Sequence, residues 1–178
     1  MNEKNLNVFI DFGSSKIRIG IFDKETTKNI FISEKECTSN FNLEKFEINN
    51  SNEVIKDLIQ SAEKKIDKHI KNINLMIDTP DMFSIDISIK KKSDYKMNSK
   101  KDIQSLLKEA KSLIQKNYPK QKIIHMIVKK FVFDDKEYYE FPNKEINYYC
   151  LVAELKFICM PYQIWKNLHN IFNKNHIT

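Results

Sequence analysis

The six residues Asp11-Phe12-Gly13-Ser14-Ser15-Lys16 have types and spacing that suit phosphate chemistry. Successive backbone N–H groups in a turn can converge on one anion. The Ser14 and Ser15 hydroxyls add donors, and Lys16 adds a point charge. Asp11 can hold a magnesium ion through water. The chain has only two glycines, Gly13 and Gly20, and both lie in or beside this stretch. Glycine permits φ > 0 and lets a phosphate approach the backbone, so Gly13 is expected to serve one of those needs. The same residues also suit an ordinary hairpin with a turn glycine and a solvated lysine. Residue types alone do not separate the two readings.

Other reactive side chains carry less. His125 falls in an apolar run, where a core or sheet-face histidine is the simpler reading, and no residue is placed to complete a triad with it. His69, His169 and His176 lack metal-ligand spacing. Asp134-Asp135 reads as a turn pair. Cys37, Cys150 and Cys159 are odd in number and form no C-x-x-C pair. That argues against a disulfide framework or a zinc site, and for a reducing compartment. No catalytic residue is assigned.

At 178 residues the chain suits one ordinary domain or two small ones. Its 41% hydrophobic content is that of a globular protein. A net charge of +6 and a pI near 9.0 raise the question of nucleic acid. However, 30 basic residues face 24 acidic ones, with both signs mixed along the chain, and Arg18 is the sole arginine. Base and phosphate forks favour arginine, so a lysine-rich solvated surface is expected and no nucleic-acid partner. No signal peptide opens the chain, and no apolar run approaches the length of a membrane span. A cytoplasmic protein without a transmembrane segment is therefore expected.

These residues must be positioned by strands. Asn7–Phe12 and Ile17–Asp23 read as a hairpin around the polar turn, and Asn29–Ser33 as a third strand. A helix is expected from Asn50, with Glu53 completing a capping box and Val54 to Ile70 supplying an apolar face. Ile73–Asp78 is a short strand stopped by Thr79-Pro80. A second segment follows: a strand at Ser84–Lys90, a helix from Ser99, and strands at Ile123–Phe133 and Tyr148–Met160. A last helix is expected with Pro161 in its first turn. Each segment carries its own helix and strands, so two separate sheets are expected.

The hairpin resembles the first phosphate loop of the actin-like ATPases. The strand–helix–strand–strand order of the second segment, with Ile123-Ile124-His125-Met126-Ile127-Val128 running to Phe133-Asp134, resembles the SHS2 domain of the bacterial cell-division protein FtsA family. The implied fold is α+β: a partial actin-like, RNase H-like subdomain with an inserted SHS2 subdomain. Residues 1–80 would be the first part of the actin-like subdomain, 81–160 the SHS2 subdomain, and 161–178 the start of a helix returning to the first.

The resemblance implies ATP with magnesium at Asp11, Gly13, Ser14, Ser15 and Lys16, with Asp11 reaching the metal through water. It implies FtsZ and other division proteins as partners, together with self-association. The family's second phosphate loop, its second lobe and its membrane-binding helix would follow Thr178, so the nucleotide site is expected to be incomplete. No turnover is expected from this chain alone, and membrane attachment only through that helix or through partners. The family's glycine-containing stretch is missing after Phe141-Pro142-Asn143. Two alternatives are a different actin-like ATPase, such as a pilus-assembly protein, and a free-standing SHS2-like binding module. Within the loop 135–147, Tyr138, Tyr139 and Phe141 are either an interaction surface or aromatics folded back on the sheet.

Overall fold

The computed structural model describes residues 6–13, 15–36, 48–97, 100–140 and 146–177. The elements in order are β1 (Leu6–Phe12), β2 (Lys16–Asp23), β3 (Asn29–Glu36), α1 (Ile48–Ile66), β4 (Asn74–Ile77), β5 (Phe83–Met97), α2 (Lys100–Asn117), β6 (Gln121–Phe133), β7 (Lys136–Tyr138), β8 (Tyr148–Pro161) and α3 (Tyr162–Lys174). They form two units: Met1–Pro80 with Gln163–Thr178, and Asp81–Tyr162. Each unit has its own four-stranded sheet, as the separate apolar patterns require.

In the first unit the sheet order is β3-β2-β1-β4. β1 pairs antiparallel with β2 and parallel with β4. Alternation buries Val8, Ile10 and Phe12 of β1 and Ile17, Ile19 and Ile21 of β2. Ile55, Leu58, Ile59 and Ala62 of α1 and Ile164, Leu168, Ile171 and Phe172 of α3 complete that core. The Phe12 and Phe172 rings meet edge-on at 6.4 Å. Lys35 on β3 bridges to Asp57 on α1 at 2.6 Å, on the same side.

The helix termini show how a chain with two glycines stops its helices. Asp67 takes φ 54° after α1, and the Lys68 N–H donates to the Glu63 carbonyl at 3.2 Å. His176 takes φ 57° after α3, and the Ile177 N–H donates to the Phe172 carbonyl at 3.1 Å. Both are left-handed caps of the type that glycine usually supplies. At its other end α1 begins at Ile48, so Asn50 lies within its first turn and does not cap it. Pro161 is the last residue of β8, just ahead of α3.

The second unit has sheet order β5-β8-β6-β7, all antiparallel. Ile103, Leu106, Ala110 and Ile114 of α2 pack with Leu151, Ala153, Leu155, Phe157 and Cys159 of β8. β5 runs beyond the expected Lys90 because Lys91 and Lys92 continue its register with Leu151 and Cys150. Lys91 is held by Asp102 of α2 at 2.7 Å. The lysines sit on an edge strand, where charge discourages pairing with another chain.

β7 has no counterpart in the expected elements. Its turn residues Asp134 and Asp135 have φ 45° and 79°, the two positive angles that a tight two-residue hairpin turn demands. The Asp134 carboxylate accepts the Tyr149 N–H at 3.0 Å and the Cys150 N–H at 2.8 Å, fastening the turn to β8. Aspartate thereby occupies a conformation usually left to asparagine and glycine.

Candidate functional site

The β1–β2 hairpin sets the geometry of the candidate phosphate residues. Residues at odd positions of β1, such as Asp11, face away from the buried Ile10 and Phe12. On β2 the same outer face carries Lys16, Arg18, Gly20 and Phe22, opposite the buried Ile17, Ile19 and Ile21. Asp11 is in register with Arg18, and Arg18 with Glu34 of β3. Three strands therefore place three charges on one rung.

The side chains close into a ladder. Arg18 Nη1 donates to Asp11 Oδ2 at 3.1 Å, and Arg18 Nε donates to Glu34 Oε2 at 3.1 Å. Lys16 Nζ donates to Glu34 Oε1 at 2.5 Å. The hydrogen bonds from Lys16 and then Arg18 hold the Glu34 carboxyl below its ordinary range. The bonds to Glu34 and then Asp11 hold the Arg18 guanidinium above its own. All four side chains are between a third and a half exposed, so solvent screens each pair and its contribution to stability is small.

Gly13 serves a close approach. Its φ is not positive, contrary to the expectation for a turn glycine. Its N–H donates to the Lys16 carbonyl at 3.0 Å, and a Cβ added to Gly13 would stand 3.0 Å from that same oxygen. Gly20 is in register with Phe9 on one side and Ile32 on the other. The Phe22 ring folds over the space it leaves, where a Cβ would come within 2.8 Å of Cε2. Phe22 meets Phe9 edge-on at 5.9 Å.

The structure thus brings Asp11, Gly13, Ser15 and Lys16 to one end of the sheet, with Ser15 exposed. Ser14 lies outside the described residues, as do Cys37, Ser99 and Phe141. Among the described residues the polar groups of this hairpin are engaged with one another. The Gly13 N–H is given to a carbonyl, both cations are matched by carboxylates, and Gly13 lacks the positive φ found in an anion-binding nest. Arg18 and Glu34 organise the site, and neither was among the candidate residues. The signal for them was the strand register together with the fact that the only arginine stands directly opposite Asp11 on the same rung. A planar fork that can bond two carboxylates at once distinguishes arginine from lysine.

The candidate interaction residues separate. Tyr138 packs on the second unit's core, its ring edge-on to Phe133 at 5.4 Å. Tyr139 is 72% exposed, and its hydroxyl donates to Glu137 Oε2 at 3.1 Å. Glu137 also takes Lys130 at 2.5 Å, and the bond from Lys130, then that from Tyr139, lowers the Glu137 carboxyl from its ordinary value.

The histidines occupy unrelated places. His125 is exposed on β6, His69 Nδ1 meets Glu63 at 2.6 Å, and His169 stacks on Trp165 at 4.8 Å. Among the described residues no three His, Cys, Asp or Glu side chains come together as a metal site, and no helix is long and apolar enough to cross a membrane.

No family model matches the sequence, and no curated protein matches it. Among solved structures the chain is similar to a chain of a PilM-PilN type IV pilus biogenesis complex, with a TM-score of 0.60 at 9% identity, covering 97% of this chain and 45% of that one. Also found is the cytoplasmic domain of EpsL, an inner-membrane component of the type II secretion system of Vibrio cholerae. That match has a TM-score of 0.45 at 8% identity, over 97% of this chain and 55% of that one. The chain therefore spans about half the length of these structures. The likeness is one of fold alone: a mixed α+β arrangement that has, among the described residues, two sheets and three helices.

Proposed function

We propose that this chain is an actin-like component of a pilus-assembly apparatus and acts there as a docking body for other proteins at the cytoplasmic face of the membrane. The observation that carries this reading is the likeness to the PilM-PilN complex, which runs through both units over 97% of the chain. That structure is a complex between proteins, so a protein partner suits the fold better than a small substrate.

The side-chain distribution supports docking in the second unit. All seven tyrosines of the chain fall between residues 95 and 162. Tyr95, Tyr118, Tyr139, Tyr149 and Tyr162 are exposed. Tyrosine offers a large contact area at low entropic cost and is enriched at interfaces. The order β5, α2, β6 and β8, with the short β7 added between the last two, is the ground for reading this unit as an SHS2-type interaction body. The cell-division reading, with FtsZ as partner, shares the fold class but draws no support from the structural neighbours. The ATP expectation draws none from the hairpin.

Affinity capture of the tagged protein from its own cells, with quantitative mass spectrometry, tests the reading. Enrichment of pilus-biogenesis proteins over FtsZ is the expected result. Enrichment of FtsZ and other division proteins, with no pilus component, would replace it with the division reading.

A further inference from the structure

The β1–β2 hairpin stands where an actin-like protein would be expected to grip a nucleotide phosphate, and its chemistry is wrong for that ligand. Its outer end carries three carboxylates, Asp11, Glu34 and Glu36, against two cations, Lys16 and Arg18, with Lys16 in register with Glu36. An incoming phosphate meets a net negative end with both cations already engaged. Displacing one exposed pair costs little by itself. Here, however, moving Lys16 onto a phosphate leaves Glu34 and Glu36 facing the new anion, and like charges so close repel. A divalent ion has no better prospect, because Asp11 Oδ2 already faces the Arg18 guanidinium at 3.1 Å. The Gly13 N–H is likewise engaged, closed onto the Lys16 carbonyl at 3.0 Å.

We infer that this hairpin is an ion-pair ladder closed to phosphate, and that the chain's own share of an actin-like fold takes part in assembly without gripping ATP. The ladder does structural work instead, tying β1, β2 and β3 together on the face opposite α1. This inference concerns the hairpin alone and stands whichever assembly the protein serves.

Amide NMR on the full chain, titrated with magnesium-ATP and separately with inorganic pyrophosphate, tests it. The wild type is expected to show no saturable shift at Gly13, Ser15 or Lys16. The double variant Glu34→Gln, Glu36→Gln keeps Lys16 and Arg18 and removes two carboxylates from an exposed surface, so it should fold. Its Gly13–Lys16 amides are expected to respond to pyrophosphate at least about tenfold more strongly at equal concentration, a change of about 1.4 kcal/mol. Saturable wild-type shifts at these amides would overturn the inference. So would a folded double variant as silent as the wild type, because the carboxylates would then not be what closes the hairpin.

Discussion

The β3-β2-β1-β4 sheet and the β5-β8-β6-β7 sheet each have four strands, yet they place their polar and aromatic side chains differently. The first sheet gathers charge at one end, where Asp11, Arg18, Glu34 and Lys16 neutralise one another. It has no tyrosine at all. The second sheet spreads its ion pairs, with Lys91 on Asp102, Lys129 on Asp86 and Lys130 between Glu137 and Glu154. It presents exposed tyrosines, Tyr95 at 83% and Tyr139 at 72% among them. A surface whose charges are mutually satisfied offers little to an ionic ligand, whereas a surface with exposed tyrosines suits protein contacts. On the proposed reading, the contrast gives docking to the second unit and support to the first.

The contrast can be broken most severely in the second unit's core. Phe157 is fully buried, and Phe157→Ala should cost about 3–5 kcal/mol in chemical denaturation. A loss below about 1 kcal/mol would mean the β8 face is not the core. Tyr138→Ser should cost about 1–2 kcal/mol, since it strips a ring from Phe133. Tyr139→Ser should change stability by less than about 0.5 kcal/mol while weakening partner capture. Equal effects on stability would erase the distinction between the packed and the presented tyrosine. In the first unit, Gly13→Ala presses a methyl against the Lys16 carbonyl and should cost about 1–2 kcal/mol. A neutral result would show that the turn has room to open.

The smallest effect is in acid. Glu34 and Glu137 both sit below the ordinary 4.5 of their type. A lowered carboxyl stabilises the fold above its unfolded value and loses that contribution as pH falls through the folded one. Stability should therefore decline from about pH 4.5 downward, and Glu34→Gln should flatten that limb more than Glu137→Gln, because Glu34 holds two cations. Melting temperatures measured across that range check the order.

The strands and helices were legible because their apolar spacing is strong. Ile17, Ile19 and Ile21 alternate, and Ile103, Leu106, Ala110 and Ile114 repeat at helical intervals, so two sheets with separate helices could be expected. The Asp134-Asp135 turn was legible, but β7 was hidden because its three residues, Lys136–Tyr138, are too few and too polar to show an alternating apolar pattern. The extension of β5 was hidden because Lys90-Lys91-Lys92 carries no apolar signal, and only pairing with β8 keeps it extended. At the hairpin, the residue types suggested phosphate, but the partners that engage Lys16 and Asp11 come from the next strand. Glu34 lies 18 residues from Lys16, and only the β2–β3 register brings them together. Tyr138 and Tyr139, adjacent in sequence, part because β7 ends at Tyr138, which packs on the core, while Tyr139 lies just beyond the strand and is exposed.

The account is tested most directly by deleting the gene in the cell that carries it and examining both cell length and surface fibres. The pilus-assembly reading predicts cells of normal length that divide on schedule and lack assembled pili, restored by the wild-type chain in its native gene. Long undivided filaments with pili intact would contradict it and return the protein to cell division.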